Sequence, residues 1–354
     1  MIEIVSDVAP QTLAPYGAII DVRTPAEFAE DHVPGAINLP VLSNEERAEV
    51  GTIYVQESRF RARRLGAAYV ARNVARHLET ALADQDAKFR PLLYCWRGGM
   101  RSNTMATILS QIGWRVGVLQ GGYKTWRRAV VAALFDDGTP LNLVLIDGQT
   151  GTAKTEILRR MSALGVETID LEGLAAHKGS VFGADAARAQ PSQKRFESLL
   201  FDRLRRCDLA RPIAVEAESS RIGRLNVPKR LWLAMRAAPR IDVRASLAAR
   251  AQYLPNAYAD LIETSGGVVA AIDKLRPFHA KETIEEWLAM AEEQRFSALA
   301  ERLMREHYDP LYERSRKRDE KKPVGMVEID RLDAEGVTCA ARTAAEIIRT
   351  LPTR

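Results

Sequence analysis

Cysteine is scarce in this chain: three among 354 residues, Cys95, Cys207 and Cys339, far apart and odd in number. Neither a disulfide framework nor a CxxC metal site can be assembled from them, so any cysteine that matters acts alone and no metal centre is expected. Long apolar runs are also missing. No uninterrupted stretch approaches the roughly 20 residues that a spanning helix needs, which argues against an integral membrane protein. The first ten residues carry Glu3 and Asp7 and lack the basic start and apolar middle of a secretory signal, so the expectation is a cytoplasmic protein. A strong excess of one charge is absent as well. The 51 basic and 46 acidic side chains leave +5, which permits a polyanionic partner without requiring one. No internal repeat or low-complexity tract is found.

What is present is apolar content, 46% of a chain longer than one ordinary core serves, and two domains are the first expectation. The first third alternates short apolar runs with helical patterns. Residues 18–22, 92–94 and 116–119 read as buried strands, with Thr24 and Pro25 as a helix start and helices over 102–112 and from Tyr123 into Phe135. Asp136-Asp137-Gly138-Thr139-Pro140 reads as a linker. Beyond it, 141–146, 166–170, 213–216 and 241–243 read as strands with helices between, 284–308 is amphipathic and helical, and Arg314 to Lys322 is a basic run containing Asp319 and Glu320. The expected architecture is α/β, with a parallel-sheet domain over 1–137 and a second α/β domain with a C-terminal helical region over 138–354.

Two loops carry the chemistry. The first is Tyr94-Cys95-Trp96-Arg97-Gly98-Gly99-Met100-Arg101-Ser102, where a cysteine follows a buried strand and a glycine-bearing loop leads into a helix. Backbone N–H groups and a positive helix end converge there and favour thiolate, and Arg97 and Arg101 add positive charge able to lower the thiol pKa and attract an anion. A lone cysteine is more often a core residue, but the flanking arginines and glycines favour a reactive sulfur.

The second loop follows Leu143-Val144-Leu145-Ile146-Asp147: Gly148, Gln149, Thr150, Gly151, Thr152, Ala153, Lys154 and Thr155. Strand, glycine-bearing loop, Lys-Thr and helix is the setting a phosphate-binding P-loop requires, because backbone N–H groups wrap the phosphate, lysine neutralises it and the threonine hydroxyl reaches Mg²⁺. Ala153 departs from the usual glycine before the lysine. Glu216 and Glu218 end the later strand, and their separation by two residues places both on one face, where either can line the site. A basic segment, Arg59, Arg61, Arg63, Arg64, Arg72 and Arg76 with Phe60 and Tyr69 for stacking, is a candidate RNA contact, against the plainer reading of a solvated helix face.

The cysteine loop resembles that of a rhodanese domain. Asp21-Val22-Arg23 with Glu27-Phe28 and His32-Val33-Pro34-Gly35-Ala36-Ile37-Asn38 resembles the N-terminal rhodanese motif, and Leu119-Gln120-Gly121-Gly122-Tyr123 with Trp126 the C-terminal one; Asp21 and His32 are structural in that family. Rhodanese and P-loop together, with 170–183, Gln190-Pro191-Ser192-Gln193, Phe196-Glu197, Glu218-Ser219, Ile222-Gly223 and His307-Tyr308-Asp309-Pro310-Leu311-Tyr312, resemble the tRNA 2-selenouridine synthase family. The resemblance implies a tRNA substrate with 2-thiouridine at the wobble position, geranylation of its sulfur by geranyl diphosphate, and replacement of that sulfur with selenium from selenophosphate, made by a partner enzyme. The chemistry of a diphosphate donor places geranyl diphosphate at the P-loop, although the motif itself would fit a nucleotide equally well. Cys95 then carries selenium or positions selenophosphate.

Overall fold

The computed structural model describes residues 1–183, 188–317 and 322–353. The chain forms two compact units, one of Met1–Asp137 with Ser192–Arg206, the other of Gly138–Pro191 with Cys207–Arg354.

The first unit is built on five parallel strands, β1 (Ile2–Val5), β2 (Ala18–Asp21), β3 (Ile37–Asn38), β4 (Pro91–Tyr94) and β5 (Val116–Leu119), in the order β1-β5-β4-β2-β3. β4 and β5 are buried along their whole length, the pattern of strands covered on both faces. The helix Pro25–Glu30 starts at Thr24, whose hydroxyl accepts from the Glu27 N–H while the Glu27 carboxylate accepts from the Thr24 N–H, with Pro25 in the first turn. Two helices, Asn44–Gln56 and Arg59–Glu79, are inserted between β3 and β4 and pack on each other.

One element of this unit comes from far along the chain. The expected second domain ran unbroken over 138–354, yet the helix Gln193–Leu204 packs against the helix Tyr123–Val131 of the first unit. Trp126, fully buried, donates through Nε1 to Ser198 Oγ at 2.9 Å and meets Phe201 edge-on at 5.1 Å. Ser198 Oγ in turn donates to Asp31 Oδ2 at 2.7 Å.

The second unit has another five-stranded parallel sheet, of β6 (Leu143–Asp147), β7 (Glu167–Ile169), β8 (Ile213–Glu216), β11 (Arg240–Ala245) and β12 (Gly325–Ile329) in the order β12-β11-β6-β8-β7, with a hairpin of β9 (Arg221–Ile222) and β10 (Leu225–Asn226). β6 is central and fully buried, and the helices Lys154–Ala163 and Ala334–Arg349 pack on each other beside it. The amphipathic stretch 284–308 is several helices, not one. Lys281–Glu292 ends before Gln294, which sits at φ 56°, and Phe296–Leu303 then continues into a π-helical turn, Met304–Tyr308. These helices surround a separate apolar cluster centred on Trp287. Of the basic run, residues 318–321, including Asp319 and Glu320, lie outside the described residues.

Candidate active site

In the first unit, β4 delivers Cys95 to the foot of the helix Met100–Gln111. The sulfur is buried, accepts from the Gly99 N–H at 3.2 Å, and receives the Ser102 hydroxyl at 3.3 Å. Burial pushes the thiol pKa up, but the Ser102 hydroxyl and the N–H groups of Ser102, Arg97 and Gly99 outweigh it, holding the thiol below its ordinary value. The backbone part of the expected activation is present, but the arginine charges are not among its causes. Arg101 is spent on Glu27, with contacts of 2.7 and 3.3 Å, and Arg97 is exposed and, among the described residues, unpaired. Backbone and hydroxyl dipoles hold the sulfur, and Arg97 is left free to meet an anion from outside.

The glycines shape this loop. Gly98 and Gly122 lie at φ 63° and 59°, and a Cβ on Gly122 would stand 2.1 Å from the Cys95 carbonyl oxygen. That closeness lets the Tyr123 N–H donate to the Cys95 carbonyl at 2.8 Å, tying the cysteine loop to the turn after β5. Trp96 stacks on Tyr123 with 5.3 Å between centroids, and Met100 is exposed. Beneath them Arg23, itself buried, forks onto Asp21, donates to the Asp31 carbonyl at 2.6 Å and lies 4.1 Å from the Tyr123 ring. Asp21 and His32 brace turns: the His32 ring stacks on Phe28 at 3.7 Å and its Nδ1 bonds to the Phe28 carbonyl.

In the second unit, Gly148, Thr150, Gly151, Thr152, Ala153, Lys154 and Thr155 all line a cavity of about 530 Å³. Lys154 Nζ donates to the carbonyls of Gly148 at 2.8 Å and Gln149 at 3.2 Å, and Thr152 Oγ1 donates to Gln149 at 2.9 Å. Ala153 stands at φ 58° and ψ 29°, the left-handed conformation that explains why glycine is the usual residue there. Its methyl is accommodated by burial: Ala153 is part of the apolar cluster with Val144, Ile146 and Ile157.

The two candidate carboxylates part company. Glu216 ends β8, is fully buried and accepts from the Leu171 N–H at 2.9 Å, so it does not line the cavity. Strand alternation fails because the chain turns at once, the Glu218 N–H donating to the Glu216 carbonyl at 2.9 Å. Glu218 does line the cavity. Burial and the Glu172 carboxylate push its pKa up to about 8, against the opposing pull of Lys154. Glu172 is a site residue that single-residue reasoning passed over, although it lies within the 170–183 stretch; it accepts from Thr155 Oγ1 at 2.7 Å. Arg250 was missed too. Buried beneath the loop, it donates to the Thr150 carbonyl at 3.1 Å and forks onto Asp309 at 2.9 and 2.8 Å. Part of the basic run is structural: Arg316 donates to Asp147 at 2.7 Å, beside Arg240 at 3.0 Å.

The arginine segment forms the exposed side of the helix Arg59–Glu79. At about 100° per residue, Arg61, Arg64, Arg72 and Arg76 fall on one broad face, while Arg59 and Arg63 share another. Phe60 is 76% exposed, but Tyr69 is half-buried and donates to Glu49 at 2.7 Å, so of the two aromatic rings only Phe60 is free to stack. No helix among the described residues is long and apolar enough to cross a membrane.

Comparison with known proteins finds a match for each part of the chain. Residues 8–129 match the rhodanese-like domain and residues 141–278 the tRNA 2-selenouridine synthase AAA domain. The chain is 33% identical over 330 residues to the tRNA 2-selenouridine synthase of Cupriavidus pinatubonensis, covering 83% of this chain and 87% of that protein. It is 34% identical over 323 residues to that of Pseudomonas syringae pv. tomato, with the same coverage, and 32% identical over 329 residues to that of Proteus mirabilis, covering 85% of this chain and 89% of the relative. With a cradled cysteine, a P-loop cavity and relatives matched along most of their length, the chain belongs to the tRNA 2-selenouridine synthase family.

Proposed function

We propose that this chain converts 2-thiouridine at the wobble position of tRNA to 2-selenouridine in two steps that use its two loops separately. Family membership already makes it a tRNA-modifying enzyme of selenium chemistry. In the first step the thiouridine sulfur attacks the first carbon of geranyl diphosphate. A C–S bond forms, the C–O bond to diphosphate breaks, and the base gives up its N3 proton. The P-loop amides around Gly151 with Lys154 take the developing charge of the leaving diphosphate. Thr155 with Glu172 or Glu218 would hold Mg²⁺, which would supply further neutralisation of the diphosphate.

In the second step selenium of selenophosphate attacks the base carbon that bears the S-geranyl group, and geranyl thiol leaves, a far better leaving group than the original thione sulfur. Water then cleaves the Se–P bond to release phosphate. Cys95 serves this step, its loop N–H groups stabilising an anionic chalcogen, and Arg97 meets the phosphate oxygens. An enzyme that makes selenophosphate is the implied supplier. The exposed arginines of the helix Arg59–Glu79 contact the RNA backbone.

The observation that carries the reading is the pairing, in one chain, of a buried thiol held below its ordinary pKa with a lysine-bearing phosphate cavity. The test is to incubate the protein with 2-thiouridine tRNA, geranyl diphosphate and selenophosphate, digest the RNA and weigh its nucleosides. Both S-geranyl-2-thiouridine and 2-selenouridine are expected. Their absence alongside nucleotide hydrolysis would instead establish a small-molecule kinase or NTPase linked to a rhodanese domain.

A further inference from the structure

The P-loop cavity does not end at the phosphate site. A second, narrow cavity of about 70 Å³ opens beside it, and the two share Thr150, Ser180, Leu254, Tyr258 and Tyr308 in their walls. Past that shared mouth the lining side chains are all apolar, among them Phe182, Leu261, Phe296, Ala300 and Leu303. A nucleobase is a poor occupant, since it would bury donors and acceptors against side chains that offer none.

The polar-to-apolar change occurs at hydroxyls. Ser180 Oγ and Tyr258 Oη bond to each other at 3.1 Å, and Tyr308 Oη is buried near Ser180 and the Val181 backbone without completing a well-formed hydrogen bond to either. A buried phenol with only such loose partners is better satisfied when a ligand oxygen reaches it. The ligand that suits this arrangement has phosphate oxygens on the P-loop side, an oxygen near Tyr308 and a slim hydrocarbon beyond it. Tyr308 also closes the π-helical turn Met304–Tyr308 and packs against the Trp287 cluster, so the wall is fixed by its own core.

We propose that this apolar pocket holds the hydrocarbon chain of the diphosphate donor, and that its depth selects the chain length. The assignment rests on the reading that a prenyl diphosphate binds at the P-loop. Titration calorimetry of the full chain with inorganic diphosphate, geranyl diphosphate and farnesyl diphosphate tests it. The wild-type protein binds geranyl diphosphate at least roughly 100-fold more tightly than diphosphate alone, because the chain carbons leave water. Ala300→Phe fills the pocket and cuts that preference to about fivefold or less. Diphosphate affinity stays within about threefold, which also shows that the variant is folded. Phe296→Ala deepens the pocket and raises farnesyl diphosphate affinity by about tenfold. If the wild-type protein binds diphosphate but shows no preference for geranyl diphosphate, the prenyl-donor reading falls together with the pocket. A preference that survives both substitutions unchanged overturns the pocket alone.

Discussion

Replacing Ala153 with glycine tests whether the alanine before Lys154 is a defect of the phosphate loop or a packed part of it. The left-handed backbone at φ 58° costs an L-residue about 1–2 kcal/mol, which glycine recovers. Against this, the buried methyl beside Val144, Ile146 and Ile157 contributes about 0.8 kcal/mol. Glycine also widens the freedom of the unfolded chain, at about 0.4–1 kcal/mol. These terms nearly cancel, so Ala153→Gly should leave stability within about 1 kcal/mol, a shift of roughly 2–4 °C in Tm. Ala153→Val is the contrast. A β-branched residue is a steric outlier at positive φ, and its extra methyl groups enter a filled core, so a loss of at least about 2 kcal/mol is expected. Urea unfolding curves of the three proteins, with diphosphate titrations of each folded form, provide the check. A glycine variant more stable by over about 1 kcal/mol would mean that the methyl contributes no packing. A roughly tenfold gain in diphosphate affinity would mean that it obstructs the loop.

Other outcomes follow from the same geometry. Cys95→Ala should abolish selenium incorporation while S-geranyl-2-thiouridine still forms; equal loss of both products from a folded variant contradicts the division between loops. Ser102→Ala removes the hydroxyl at 3.3 Å from Sγ and should slow iodoacetamide alkylation of Cys95 at neutral pH by roughly tenfold, whereas an unchanged rate would assign the activation to the backbone alone. Glu218, raised to about 8, is largely neutral at pH 7 and gains its negative charge as pH rises through 8, so diphosphate affinity measured without Mg²⁺ should fall over that interval. Glu218→Gln should flatten the fall relative to the wild type, the ligand's own titration being common to both, and parallel curves would remove Glu218 from the site. Ser198→Ala deprives buried Asp31 of one donor and should cost about 1–3 kcal/mol in urea unfolding; a neutral result would mean that solvent reaches Asp31.

The central strands were readable because each is a short apolar run buried on both faces, as in β4, β5, β6 and β8. Of the edge strands β7 was read, at 166–170, but the others gave no such signal. β1 leaves Ile2 and Ile4 exposed, β3 is two residues long, and β12 alternates between exposed and buried positions. Both chemical loops were legible, since a strand, a glycine-bearing loop and a helix are contiguous in sequence. Their partners were not. That Arg101 is held by Glu27, that Thr155 faces Glu172 and that Arg250 is clamped by Asp309 depend on residues far apart in the chain, and charge counting near Cys95 credited its arginines with a share of an activation that the backbone and Ser102 supply. The Glu216 and Glu218 pairing failed for a local reason, a turn one residue past the strand, which alternation cannot foresee.

The return of Ser192–Arg206 to the first unit has a consequence for how the protein is made. During synthesis the rhodanese sheet is complete long before its last helix exists, and at roughly 5–20 residues per second the gap lasts several seconds. Through that interval Trp126 and Asp31 lack Ser198 and the apolar face around Trp126 is uncovered, while the P-loop strand is already emerging. The first half of the chain therefore cannot finish folding ahead of the second. A fragment cut at Asp137 would preserve that unfinished nascent state, with the thiol loop present but resting on a helix whose far side was never closed.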